Sequence, residues 1–135
     1  MNFENITVGA KNFVDAIVTE SDTAIFMKSG SLKVLATPKL ICFVEEAAAT
    51  LAEKFLPAEY TSVGTKINVN HTAPSPIGAK VHVEVELVEV DGRKLIFKVS
   101  ASDDVGKILD GMHERFIVNR EKFQAKANAK IRGDA

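Results

Sequence analysis

Two neighbouring carboxylates, Glu45 and Glu46, lie inside the apolar stretch ATPKLICFVEEAAATLAEKF, residues 36–55. Three histidines, His71, His82 and His113, follow in segments that read as strand. A carboxylate can serve as base or nucleophile and an imidazole as acid or base. Thr37 offers a hydroxyl at the start of the same stretch. Gly64 and Thr65 form a pair whose backbone N–H groups could meet an oxyanion, although the pattern alone favours a β-bulge. Cys42 is the single cysteine, so an internal disulfide is ruled out. A nucleophilic cysteine would need a paired base, and none stands near it in the pattern. No Cys/His cluster has zinc spacing, and no metal is expected.

The elements that would hold these residues can be read from periodicity. Thr37 is a good N-cap, Pro38 suits a first helical turn, and Pro57 closes the segment, which places a central helix over about residues 37–56. Leu40, Val44, Ala47, Ala48, Leu51 and Phe55 form one stripe with helical spacing. Stepping ~100° per residue from Leu40, the stripe centres near ~40°, Glu45 falls near ~140° and Glu46 near ~240°. Glu45 is therefore the flank carboxylate, beside Ile41 and Ala52, and Glu46 the solvent-facing one. Cys42 falls on the back of the helix, near ~200°.

The rest is mostly strand. Residues 12–19 form an imperfectly alternating strand. Residues 20–35 read as a loop with a short helical piece, in which Ile25, Phe26 and Met27 either pack on the core or form a lid. Residues 61–72 alternate, with Val63, Thr65, Ile67, Val69 and His71 on one face. Residues 79–90 turn Val81, Val83, Val85 and Leu87 inward and His82, Glu84 and Glu86 outward. Asp91-Gly92 marks a hairpin to residues 93–102, and residues 107–119 make a last strand, with Gly111 as a bulge. His113 and Arg115 there read as a structural charged group with Glu114. A polar, basic helix over about residues 120–131 reads as a solvated face. The expected order is strand, loop, helix and four strands in hairpin succession, an α+β arrangement in one domain, residues 1–135.

Composition narrows the partners. The chain has 135 residues and a net charge of −1, which gives no electrostatic reason to expect nucleic acid or an anionic membrane. No window reaches ~18 apolar residues, so no membrane span is expected. The first residues carry Glu4 and no continuous apolar run, so no signal peptide is expected either. A cytoplasmic location is the default.

Four stretches resemble a known family: ATPKLICFVEEAA, SVGTKINVNHTA, VEVDGRKLIFKVSA and GMHERFIVNREKFQAKA. Together they span about residues 34–130, and they resemble the fluoroacetyl-CoA thioesterase family of the hotdog fold. In that fold a curved antiparallel sheet wraps one long central helix. The spacing of Thr37, Glu45 eight residues on, and His71 within an HTA segment carries the resemblance.

The resemblance implies hydrolysis of a short-chain acyl-CoA thioester with no cofactor beyond the CoA of the substrate. It implies Glu45 as nucleophile or general base, His71 as acid/base and charge stabiliser, and Thr37 as an orienting hydroxyl. Backbone at Gly64 and Thr65 would hold the thioester oxyanion, and Arg115 would help arrange the acyl pocket. It further implies a homodimer, or a tetramer in which two dimers pair, with sites at the subunit interface. Relatives selective for fluoroacetyl groups carry lid aromatics shortly before the helix. Residues 28–35, KSGSLKVL, have none, and Pro38 stands where those relatives have glycine. The acyl group is thus left open. A non-catalytic acyl-CoA-binding module on the same fold is the alternative; a hotdog dehydratase would need a helix histidine that this chain lacks.

Overall fold

Burial on one side makes the central helix. A computed structural model describes Phe3 and residues 5–133. Met1, Asn2, Glu4, Asp134 and Ala135 lie outside the described residues, so the expected domain bounds and the reading of the first residues reach past them. The central helix, α2, is Thr37–Glu53 and follows a short helix α1, Ala24–Met27. Leu40, Val44, Ala47 and Ala48 of α2 are fully shielded from solvent, as their stripe requires. The small Ala47 and Ala48 let the sheet come close. The helix is three residues shorter than its sequence reading. Lys54, Phe55 and Leu56 donate to carbonyls three residues back, so the last turn tightens before Pro57. The start also differs. Ala36 is the N-cap, without a side-chain cap bond, and Thr37 is already helical. The expected capping role of Thr37 is therefore wrong: its hydroxyl is committed elsewhere.

Among the described residues five strands wrap α2: β1 (Lys11–Ile17), β2 (Tyr60–His71), β3 (Lys80–Asp91), β4 (Lys94–Ser102) and β5 (Lys107–Asn119). They form one antiparallel sheet in the order β1-β3-β4-β5-β2. The expected hairpin succession holds for β3-β4-β5 and fails for β2. Strand β2 crosses to the far edge and pairs with β5, so residues 72–79 are a crossover and not a hairpin turn. The inward row Val81, Val83, Val85 and Leu87 is buried as expected. In β1, Asn12 faces the helix and donates to the Ala47 carbonyl at 3.1 Å, which explains the imperfect apolar alternation.

Two glycines of this sheet behave differently. The β2–β5 register shifts between Gly64 and Lys66, so Thr65 is the extra residue of a bulge. One extra residue flips the parity of the strand, and Ser62 rather than Val63 is the buried residue before it. Gly111 is not a bulge. It stays in register with Val69 and Val99, and its φ of 151° and close packing exclude a side chain: a Cβ there would lie 2.3 Å from the Asn68 carbonyl oxygen.

The segment before α2 is tied at its base by a bridge between Thr23 and Leu35, and Leu35 N–H donates to the Ser75 carbonyl. Ile25, Phe26, Met27 and Leu32 project from it, between 40% and 68% exposed, so they do not join the core of this chain. The C-terminal helix α3 is Arg120–Arg132, capped by the Asn119 side chain, and buries none of its residues.

Candidate active site

Helix α2 carries two clusters, one near its start and one two turns further on. At the start, Thr37 Oγ1 lies 2.7 Å from His71 Nδ1. Pairing of β2 with β5 ends at His71, so the strand delivers the imidazole to the first turn of the helix. His71 Nε2 is buried and has no hydrogen-bond partner among the described residues. Burial lowers the pKa of His71 below its ordinary 6.5, opposed by a backbone contact with Ala73, so the ring is neutral near neutral pH. A cavity of about 270 Å³ opens here, bounded by Thr37, His71 and Ala73 with Ala24, Ser29 and Val34 of the preceding segment.

The second cluster is built on Glu45. Its carboxylate is half-exposed, with Oε2 3.9 Å from Arg115 Nη1. A Cβ added to Gly64 would lie 2.9 Å from that same Oε2, so the carboxylate rests against bare backbone at the bulge. Arg115 is buried and held from three sides. Its Nε donates to Ser62 Oγ at 2.8 Å, Nη2 to the Ser62 carbonyl at 3.0 Å, and Nη1 faces His113 Nε2 at 3.2 Å. His113 Nδ1 in turn lies 2.8 Å from the Lys66 carbonyl oxygen. A carbonyl only accepts, so Nδ1 carries the proton and Nε2 accepts from Arg115. Burial lowers the pKa of both His113 and Arg115; for His113 the Arg115 charge adds to the effect.

The structure thus joins Thr37 with His71, and Glu45 with Gly64 and Arg115. It does not join the two groups within one chain: no hydrogen bond or ion pair links Glu45 to Thr37 or His71 among the described residues. Eight helical residues separate them, roughly 12 Å along the axis. Arg115 lies with Glu45 and does not border the cavity beside Thr37. Thr65 is exposed at the bulge, and its hydroxyl donates to the Glu114 carbonyl at 3.2 Å.

Glu46 is exposed, as helical phase requires, and so is Cys42. His82 is on the outer face of the sheet, paired with Asp15 at 2.6 Å. A hollow of about 630 Å³ beside Asp15, His82 and Ser102 lies on that outer face and contains neither Glu45 nor His71. Ser62 and His113 were not foreseen as parts of the Glu45 cluster. A signal did exist: Leu109, Gly111, His113, Arg115 and Ile117 share one parity in β5, and that parity is apolar at both ends.

A sheet of this order wrapped on one long helix is the hotdog arrangement, here with a carboxylate and a histidine set along that helix. A hot-dog-like protein from Thermanaerovibrio acidaminovorans, 24% identical, superposes with a TM-score of 0.87 over 96% of this chain and 97% of that chain, and shares the fold. The sequence model of the family described as FlK, fluoroacetyl-CoA-specific thioesterase, matches residues 18–121. The fluoroacetyl-CoA thioesterase of Streptantibioticus cattleyicolor is 41% identical over 98 residues, 73% of this chain and 70% of that protein. A solved structure of the fluoroacetyl-CoA thioesterase FlK superposes with a TM-score of 0.88 at 34% identity, over 93% of this chain and 97% of that chain. The chain belongs to the fluoroacetyl-CoA-specific thioesterase family.

Proposed function

We propose that this protein hydrolyses a short-chain acyl-CoA thioester to the free acid and CoA. The observation that carries the reading is the Glu45 carboxylate lying against bare backbone at the Gly64 bulge. A base and the backbone that can hold an oxyanion are thereby side by side. Family membership supports the substrate class, since the relatives are named for an acyl-CoA thioester.

Glu45 takes a proton from the attacking water as its oxygen bonds to the thioester carbon. The carbonyl electrons collect on oxygen, held by backbone at Gly64 and Thr65 and by His71 Nε2–H. The C–S bond then breaks, and the proton passes from Glu45 to the departing CoA thiolate. In this reading the Thr37 hydroxyl, 2.7 Å from His71 Nδ1, acts as the donor there, and the neutral ring then carries its proton on Nε2. Arg115, 3.9 Å from Glu45, offsets the charge of the carboxylate and helps arrange the acyl pocket. No metal or separate cofactor takes part.

The two half-sites belong together across a homodimer, in which Thr37 and His71 of one protomer face Glu45 and Gly64 of its partner. The separation of the clusters along α2 supports this. So does β2, a 12-residue edge strand with a hydrogen-bonded neighbour on one side, which leaves a row of backbone groups for a second copy. The location proposed is cytoplasmic; no helix of the described residues is long and apolar enough to cross a membrane. Release of free thiol from a panel of acyl-CoA thioesters tests the reading. Turnover of a short-chain member supports it, and tight binding without turnover of any member replaces it by a binding module.

A further inference from the structure

Nothing in the chain hydrogen-bonds the Glu45 carboxylate directly among the described residues; the charge nearest to it is Arg115, at 3.9 Å. The position of that charge is therefore what steers the carboxylate. Two of the three restraints on Arg115 come from Ser62, at Nε and Nη2. The third acts on Nη1, the nitrogen that faces Glu45, and it comes from His113 Nε2. Without an acceptor there, the Nη1 end would be free to turn further toward Glu45 and close the gap into a direct ion pair. A carboxylate in a tight ion pair is a weaker base.

His113 can accept at Nε2 only as the neutral tautomer with its proton on Nδ1. The bulge enforces that tautomer. The Lys66 carbonyl, in the residue after the extra Thr65, accepts a hydrogen bond from Nδ1–H at 2.8 Å. The ring is 1% exposed and stacks on Phe97, with centroids 6.2 Å apart, so it cannot turn over without opening the sheet face. The charged groups facing it are Arg115 and Glu114 of β5 and Glu45 of α2; β2 offers the Lys66 carbonyl and β4 the apolar Phe97. An imidazolium at His113 would place an N–H against the Arg115 guanidinium and lose the acceptor.

We propose that His113 is a positioning residue: as a neutral Nδ1–H imidazole braced by the β2 bulge, it holds Arg115 Nη1 back from Glu45 and so keeps the carboxylate free to act as a base. This rests on the thioesterase reading, and it assigns a role to a side chain that touches neither Glu45 nor substrate.

The test compares wild type, His113→Gln and His113→Phe for kcat and KM on an acyl-CoA that the wild type hydrolyses, with the His113 tautomer read by nitrogen NMR of the wild type. A glutamine can donate to the Lys66 carbonyl and accept from Arg115; a phenylalanine fills the space and does neither. His113→Phe is expected to lower kcat by about 10²-fold with KM nearly unchanged, as misplacement of a catalytic group does. His113→Gln is expected to restore most of the rate, and the wild-type ring to carry its proton on Nδ1. Equal loss in both variants, or full activity in His113→Phe, overturns the proposal. Should the phenylalanine variant not fold, a proton on Nε2 or an imidazolium in the wild type overturns it alone. Absence of turnover by the wild type is a different result: it removes the thioesterase reading, while the tautomer still decides the bracing of Arg115.

Discussion

Thr37 Oγ1 lies 2.7 Å from His71 Nδ1, and that contact fixes which end of the imidazole is left for chemistry. The ring is anchored at Nδ1 to the first turn of α2, and Nε2 is the buried atom with no partner among the described residues. Glu45, eight residues along the same helix, points to another cluster. A helix rises 1.5 Å per residue, so one chain places the two groups roughly 12 Å apart. The site proposed here is therefore made from two copies.

Mixing two inactive variants tests that arrangement. Glu45→Ala and His71→Ala homodimers should both be inactive. A mixed dimer carries one site with both lesions and one with neither, so unfolding and refolding the two together should return activity. Measured thiol release that stays at the level of the separate variants would place each site within one protomer.

Gly64→Ala should cut kcat while leaving the fold in place. The position is exposed and its φ is not one that demands glycine, so folding tolerates the change. The added Cβ would meet Glu45 Oε2 at 2.9 Å, His113 Cε1 at 3.3 Å and Arg115 Nη1 at 3.4 Å. A loss of about 10²-fold is expected from a carboxylate displaced by this clash. The check is kcat beside a thermal melt.

Gly111→Ala should act on stability instead. A Cβ there would lie 2.6 Å from Val69 Cα as well as 2.3 Å from the Asn68 oxygen, and φ is 151°. Strand β2 would have to move off β5. A loss of about 2 kcal/mol or more is expected, read by denaturant unfolding.

These two glycines also mark where the sequence was legible and where it was not. Helical phase separated Glu45 from Glu46 because one side of α2 is buried along its whole length, and a 3.6-residue period reports that directly. Strand parity failed across Gly64-Thr65, since a single extra residue turns Val63 out and Ser62 in. His113 and Arg115 read as a structural charged group with Glu114 because charge is the first thing their types announce. Their burial depends on acceptors in another strand, Ser62 and the Lys66 carbonyl, which no local pattern displays. The path of β2 was hidden for a related reason: consecutive strands usually pair, and only the whole sheet places β2 beside β5.

Stability should fall as the solution is acidified through the histidine range. His71 and His113 bind protons less readily in the fold than at their ordinary 6.5, chiefly because they are buried. Below that value the unfolded chain takes up more protons than the folded one, so stability rises with pH toward about 6.5 and is level with respect to these groups above it. Melting temperature measured from about pH 8 down to pH 5 should show this decline, and His113→Gln should reduce its slope. A slope unchanged in that variant would mean that His113 does not take part.

The most direct measurement is steady-state release of free thiol from an acyl-CoA panel by wild type, Glu45→Ala and His71→Ala. The wild type should turn over at least one short-chain acyl-CoA. Glu45→Ala should lose about 10²- to 10⁴-fold in kcat, the range expected for removal of a general base, and His71→Ala should also be impaired, with both variants folded. Turnover by Glu45→Ala equal to that of the wild type would contradict the account.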